Sequence, residues 1–384
     1  MKRKHNSVWK HFEYPTFIVV CVLVLIGIAT IMHAIAPVSN GASRGVRDII
    51  SGVDFSRVRM QIAWFAIGLV AMFGVHLFHY KKFERFFWPL FIASVALLVA
   101  VLVMGLTHYG TTGWLPLGPF AFQPSELCKV ALIITLSTML ARFERVETLR
   151  EALPALGVFA VYFVLVSLQN DFGTSMVYLG ILLGLLFVAR LRLRYFAIMF
   201  GSIAVAAVPI WFFVFNKIQR NRILDFIHPD TNIAGSGMHV YNSKMILGSG
   251  RWFGKGLFAD NALGRQAEYL PVRTSDFIFT VLGEAFGFLG CLIVIGLFAF
   301  LIVRLWRIAV NCKDRFGSYV VYGVIFMLFF HIFENIGMTM GIMPVTGIPL
   351  PFISYGGSSF LSNMIAVGLA MNISMRRETG ALFV

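Results

Sequence analysis

Apolar stretches of about 20 residues, the length that crosses a bilayer as a helix, recur along the chain at 15–36, 60–79, 87–106, 126–141, 152–168, 174–190, 195–215, 277–303, 317–338 and 358–375. The pattern predicts an all-α polytopic membrane protein with about ten transmembrane helices. The fourth, fifth and sixth runs are short or interrupted, so the count carries a margin of one. The polar segments between the runs are short, with one exception at 216–275. The chain therefore reads as a single integral membrane domain over residues 1–384.

Composition sharpens this picture. Of the 384 residues 58% are hydrophobic and 13% charged, and the mean hydropathy is +0.81. That balance excludes a soluble domain hiding its apolar residues in one core. Cys21, Cys128 and Cys291 fall in predicted spans and Cys312 in a short loop, without CxxC or zinc spacing, so no disulfide framework or zinc site is expected. The first apolar run lacks a small-residue cleavage site and is expected to remain as the first span.

The net charge is +14, and most of it is a topology signal. With the N-terminus inside, Lys2, Arg3, Lys4, Lys10, Lys81, Lys82, Arg85, Arg142, Arg145, Arg150, Arg190, Arg192, Arg194, Arg304, Arg307, Lys313, Arg315, Arg376 and Arg377 all face the cytoplasm. The short outer loops then hold only Arg44, Arg47, Arg57 and Arg59. The positive-inside rule thus predicts two cytoplasmic termini, and a nucleic-acid partner is not indicated.

The long segment 216–275 lies outside in this topology, between the seventh and eighth spans. It carries Lys217, Arg220, Arg222, Lys244, Arg251, Lys255, Arg265 and Arg273 against Asp225, Asp230, Asp260 and Glu268. A basic excess on the outer face runs against the positive-inside bias. A solvated surface loop would account for it, and so would a use for positive charge toward lipid headgroups or a diphosphate. "GSGRWFGKG" (248–256) is not a Walker A loop, because Ser249 and Gly256 stand where Gly and Ser or Thr are needed. Its glycines are expected to supply turns or close backbone approach.

Ionisable groups inside a span cost about 2.5–3.5 kcal/mol and need a partner or a role. "QPSELCKV" (123–130) opens the fourth span with Pro124 in the first turn and Glu126 where the helix dipole favours an anion. Lys129 follows at i+3 on the same face, either as a structural ion pair or as a cavity pair. Asp171 in "QNDFGTSMV" (169–177) is a helix cap unless it belongs to a site. "GIMPVTGIPLPFISYGGSS" (341–359) has three prolines and no charge; such backbone survives at membrane depth only when packed in protein or lining a cavity, so 341–357 is expected as a re-entrant or packed outer segment. Glu284, His331 and Glu334 fit hydrogen bonds between neighbouring helices. Asp276, in "LPVRTSDFIFTVLGEAFGFLG" (270–290), stands one residue before an apolar run, either as a helix cap or as chemistry.

Taken in order, "FQPSELCK", "QNDFGTS", "QRNRIL", "GSGMHVYNSKMILGSGRWFGKG", "TSDFIFTVLGE" and "PVTGIPLPFISYGGSS" resemble the SEDS family of membrane proteins across most of the chain. "MHVYNSK", with His239 and Lys244, is nearer the elongation-type (RodA-like) branch than the division-type (FtsW-like) one. Asn170 stands where the family usually has proline, and Asn242 where it has glutamine.

The resemblance implies a peptidoglycan glycosyltransferase in the bacterial cytoplasmic membrane, polymerising lipid II at the outer face with a class B penicillin-binding protein as transpeptidase partner. It assigns the catalytic base to Asp276. Substrate-binding candidates are Glu126, Lys129, Asp171, Arg220, Arg222, Lys244, Arg251, Arg273 and Ser358. A divalent cation (Mg or Mn) has room in such a mechanism, and no nucleotide or haem is expected. A flippase for a lipid-linked precursor, a division-type polymerase and a scaffold that only recruits a transpeptidase are the alternatives.

Overall fold

The computed structural model describes residues 11–37, 54–108, 111–117, 120–214, 217–227, 237–259 and 261–376. Lys2, Arg3, Lys4, Lys10, Arg44, Arg47, Asp230, Asp260 and Arg377, named above, lie outside the described residues. The helices are α1 (Tyr14–Ile35), α2 (Ser56–Leu77), α3 (Tyr80–Arg85), α4 (Phe87–Met104), α5 (Pro124–Ala141), α6 (Leu149–Leu168), α7 (Phe172–Val188), α8 (Leu193–Pro209), α9 (Lys217–Ile227), α10 (Met238–Ser249), α11 (Ile278–Val310), α12 (Arg315–Met340) and α13 (Gly357–Arg376). Among the described residues nine helices are long and apolar enough to cross a membrane, and α7 is a shorter apolar helix. Each expected span thus has its helix, the shortest being one of the three marked as short in the sequence.

Helices α5 and α13 are buried on nearly all sides, as is much of α12, while α2, α4 and α6 turn large apolar side chains outward. Small residues let the inner helices approach closely, as is usual where lipid is the solvent. A Cβ on Gly180 or Gly184 of α7 would fall 2.3 or 2.2 Å from the rings of Phe330 and Phe326 on α12. Gly368 of α13 packs in the same way on Met72 of α2. Two hydroxyls of α5 return to the backbone, Thr135 to the Ala131 carbonyl at 2.7 Å and Thr138 to that of Ile134 at 2.9 Å, and are buried at little cost.

Two features depart from the expectation. Between α4 and α5 the chain forms a three-stranded antiparallel sheet, β1 (Leu106–His108), β2 (Thr111–Leu117) and β3 (Phe120–Phe122), with Leu106 opposite Trp114 and Leu115 opposite Phe122. Threonine and aromatic residues favour strands there, although the body of the protein is helical. The outer segment 216–275 is also more than a loop, since it contains α9 and α10.

Helix α11 is broken at Gly287 (φ 68°, ψ −167°), a conformation that needs glycine. The break frees the carbonyls of Glu284 and Ala285, which accept the amides of Lys255 and Gly256 at 2.9 and 3.0 Å. In return Phe288 and Leu289 donate to the carbonyls of Arg251 and Trp252 at 2.8 and 3.1 Å. The glycine-rich 248–256 stretch therefore serves close backbone approach, as its sequence suggests. Glu284 reinforces the seam: its buried carboxylate accepts from Lys255 Nζ (2.7 Å), the Leu263 amide (2.9 Å) and the Gly264 amide (2.7 Å). It thus joins a helix to the outer segment, where a bond between two helices was expected.

Candidate active site

A cavity of about 900 Å³ opens between α9, α10, the turn before α11, the 341–356 segment, the first turn of α13 and the N-terminal ends of α5 and α7. Asp276, Arg222, Lys244, His239, Asp171 and Ser358 all line it, among apolar groups such as Trp64, Phe226 and Met343.

Asp276 does not cap α11. The cap position is Phe277 and no side chain caps it. Instead the backbone around Asp276 is fixed from three directions. The Thr274 carbonyl accepts the Tyr355 amide at 2.9 Å, the Ser275 carbonyl accepts Ser354 Oγ at 2.6 Å, and the Asp276 carbonyl accepts Asn335 Nδ2 at 2.8 Å. Asn335 also donates to the Ile348 carbonyl at 2.7 Å. The carboxylate sits deep among protein atoms and keeps part of its surface open to the cavity. Burial pushes its pKa up to about 6, against the Ser275 hydroxyl and the positive field of Arg222, which lower it.

Lys244 comes from α10 and lies against the C-terminal end of α12. Gly341, left-handed at φ 71°, ends that helix, and a Cβ there would fall 2.1 Å from Lys244 Cε and 2.6 Å from Nζ. A cation at a helix C-terminus is favoured by the macrodipole, and the glycine leaves room for it.

Asp171 caps α7, accepting the Thr174 amide at 3.1 Å, and also accepts Gln123 Nε2 at 2.9 Å. The Gln123 amide in turn donates to Ser358 Oγ at 2.9 Å. Gln123 therefore ties the entries of α5, α7 and α13 into one wall. Sequence reasoning left it out as a site residue, although it opens the quoted "QPSELCKV" stretch. Asn335 was missed as well, and a lone asparagine in an apolar run gives little signal.

Other candidates are placed elsewhere. Glu126 and Lys129 form the expected pair at 2.8 Å, but both are buried behind the cavity wall, and Lys129 Nζ also meets His331 Nε2 at 2.7 Å. Neither residue lines the cavity, and the pair lies beneath the site. Arg273 donates to the Ala34 carbonyl at 2.9 Å, and the buried Arg265 donates to the carbonyls of Ala36 and Pro37. Both satisfy carbonyls that the end of α1 leaves unpaired, so Arg273 is a cap and does not line the cavity. Arg220 donates to the Phe212 carbonyl at 3.0 Å, and Arg251 is exposed on the 250–256 turn; neither lines the cavity. Among the described residues Arg222 and Lys244 are the Arg and Lys side chains that line it. Among the described residues no group of three or more His, Cys, Asp or Glu could hold a metal ion. The described residues do not make a protein cage for the divalent cation.

The family model described as "Cell cycle protein", covering FtsW, RodA and SpoVE, matches residues 16–379. The chain is 36% identical over 332 residues to the peptidoglycan glycosyltransferase MrdB of Escherichia coli K12, covering 85% of this chain and 88% of that one. It is 34% identical over 325 residues to the stage V sporulation protein E of Bacillus subtilis, covering 84% and 87%. Its fold is similar to that of the rod shape determining protein RodA of Thermus thermophilus, with a TM-score of 0.69, 26% identity, and 95% and 97% of the two chains covered. It is also similar to a chain of a peptidoglycan synthase complex described as coordinating polymerization and crosslinking, with a TM-score of 0.78, 27% identity, and 95% and 98% covered. With residues 16–379 matched and the fold shared along nearly the whole length, this chain belongs to the FtsW, RodA and SpoVE family of membrane proteins.

Proposed function

We propose that this protein is a peptidoglycan glycosyltransferase of the RodA type, which polymerises lipid II into glycan strands at the outer face of the cytoplasmic membrane during elongation. The observation that carries the reading is the placement of Asp276: a rigidly held carboxylate with a pKa raised to about 6, in a cavity that also holds Arg222 and Lys244. Family membership supports it. A lipid-linked diphosphate sugar brings its own leaving group, so the reaction needs no nucleotide outside the membrane.

Asp276 takes the proton from the GlcNAc 4-hydroxyl as that oxygen attacks the anomeric carbon of the MurNAc diphosphate on the growing chain. The new C–O bond forms as the bond to the diphosphate breaks, with inversion. Arg222 and Lys244 stabilise the negative charge that develops on the departing undecaprenyl diphosphate. Asp171, Gln123 and Ser358 hold the opposite wall in place, and the apolar lining accommodates the lipid end. A class B penicillin-binding protein is the expected partner, binding through the outer elements.

The test is purified protein, with and without its partner, incubated with lipid II and resolved for glycan on a gel. Glycan from the wild type and none from D276N is the expected result. Transport of lipid II between leaflets without polymer would favour the flippase reading, and neither activity would leave a scaffold. Orientation is tested in intact cells: a cysteine at Phe253 should react with an impermeant thiol reagent and one at Asn311 should not.

A further inference from the structure

Helix α10 is anchored along its inner face. On the inner face Asn242 Nδ2 donates to the Tyr269 carbonyl at 3.1 Å, Ser243 Oγ donates to the Thr339 carbonyl at 2.8 Å, and Ile246 is fully buried. His239 stands on this same face, at i, i+3, i+4 and i+7 with Asn242, Ser243 and Ile246, so these contacts fix the turn from which it lines the cavity, and Lys244 lines the cavity from the neighbouring face. The His239 ring lies beside Phe277, the residue after Asp276, with centroids 6.3 Å apart.

The two ring nitrogens of His239 differ. Nδ1 is buried and makes no hydrogen bond. Either tautomer leaves Nδ1 unpaired, and a bare ring nitrogen is the less costly of the two, since buried N–H groups without an acceptor are rarer than under-satisfied acceptors. The proton therefore belongs on Nε2, the nitrogen left to the cavity. A cationic ring is disfavoured for the same reason, and the charged groups lining the space include Lys244 and Arg222 as well as Asp276 and Asp171. Burial independently holds the ring below the usual imidazole range. The result is a neutral donor packed on the residue that follows the proposed base, in the cavity both share.

Arg222 and Lys244 already supply charge for a diphosphate. A neutral N–H suits an uncharged oxygen, and the buried Phe277 backs the ring that carries it. We infer that His239 is a sugar-recognition residue, its Nε2–H donating to a hydroxyl or acetamido oxygen of the sugar that Asp276 deprotonates. The inference rests on the glycosyltransferase reading and adds a specificity contact to it.

Replacement by amides separates the nitrogens, because a Gln amide reaches the Nε2 position and an Asn amide only that of Nδ1. With lipid II as substrate, H239Q should stay within about 3-fold of wild type in kcat/KM, while H239N and H239F should lose about 10-fold, the scale of one neutral hydrogen bond. Thermal stability in the same detergent should be similar for H239Q and H239N, and the acid limb of the pH profile should persist in H239Q. An active wild type matched by H239N or H239F overturns the inference alone, as does H239Q being as poor as H239F. A wild type silent toward lipid II overturns the glycosyltransferase reading and this inference with it.

Discussion

Asn335 donates to the Asp276 carbonyl at 2.8 Å and to the Ile348 carbonyl at 2.7 Å with one amide nitrogen. A single side chain of α12 thus sets the backbone of the proposed base against the adjoining 341–356 segment. Removing it leaves two carbonyls without that donor and lets the carboxylate drift. N335A should lower stability by about 1–3 kcal/mol and polymerisation by about 10²-fold, the scale of a misplacement near 1 Å. The loss should fall on kcat with KM little changed. A variant that melts early yet keeps its kcat would make Asn335 structural only.

Asp276 sets the pH dependence. With its pKa raised to about 6, the base is ionised above that pH, so activity should fall as the pH drops through about 6, and D276N should lose 10²–10⁴-fold in rate, roughly the range for a general base. Stability runs the other way. A carboxylate whose pKa is raised on folding binds its proton more tightly in the native state, so its contribution is greatest below about 4 and is lost as the pH rises to about 6. D276N should therefore melt at or above wild type at pH 7.5, the difference shrinking toward pH 4. A clear loss of stability at neutral pH would contradict the strained-carboxylate account.

Asn170 has φ 57°, and its amide donates to the Ser167 carbonyl at 3.0 Å. Proline, usual at this place in the family the sequence resembles, cannot reach that φ and has no amide hydrogen. N170P should thus disturb the adjoining Asp171 cap and cost about 1–3 kcal/mol or more, while N170G should be tolerated. Equal melting temperatures for N170P and wild type would show that the turn can re-form in another conformation.

Lys129 is fully buried against Glu126 and His331. K129M leaves the Glu126 carboxylate uncompensated in the bundle, at a cost of about 3–5 kcal/mol. E126Q/K129M should cost less than the sum of the single changes, in melting and in polymerisation rate. Strict additivity in both would mean that the two side chains act separately.

The sequence alone determined the membrane architecture, because a bilayer makes each span satisfy its own backbone, and runs of apolar residues declare themselves without knowledge of their neighbours. It also singled out Asp276, whose position before α11 could be read directly, along with the Glu126–Lys129 pair, which local helical spacing brings together. It could not rank the outer basic residues. Arg222 and Arg273 look alike in a charge count, yet one lines the cavity and the other closes the end of α1 from 239 positions away. Nor could it separate Glu284, which binds the outer segment, from a helix-to-helix hydrogen bond, or find Gln123 and Asn335. Those roles depend on carbonyls and amides left unpaired at helix ends and breaks, and only the tertiary structure decides which distant side chain meets them.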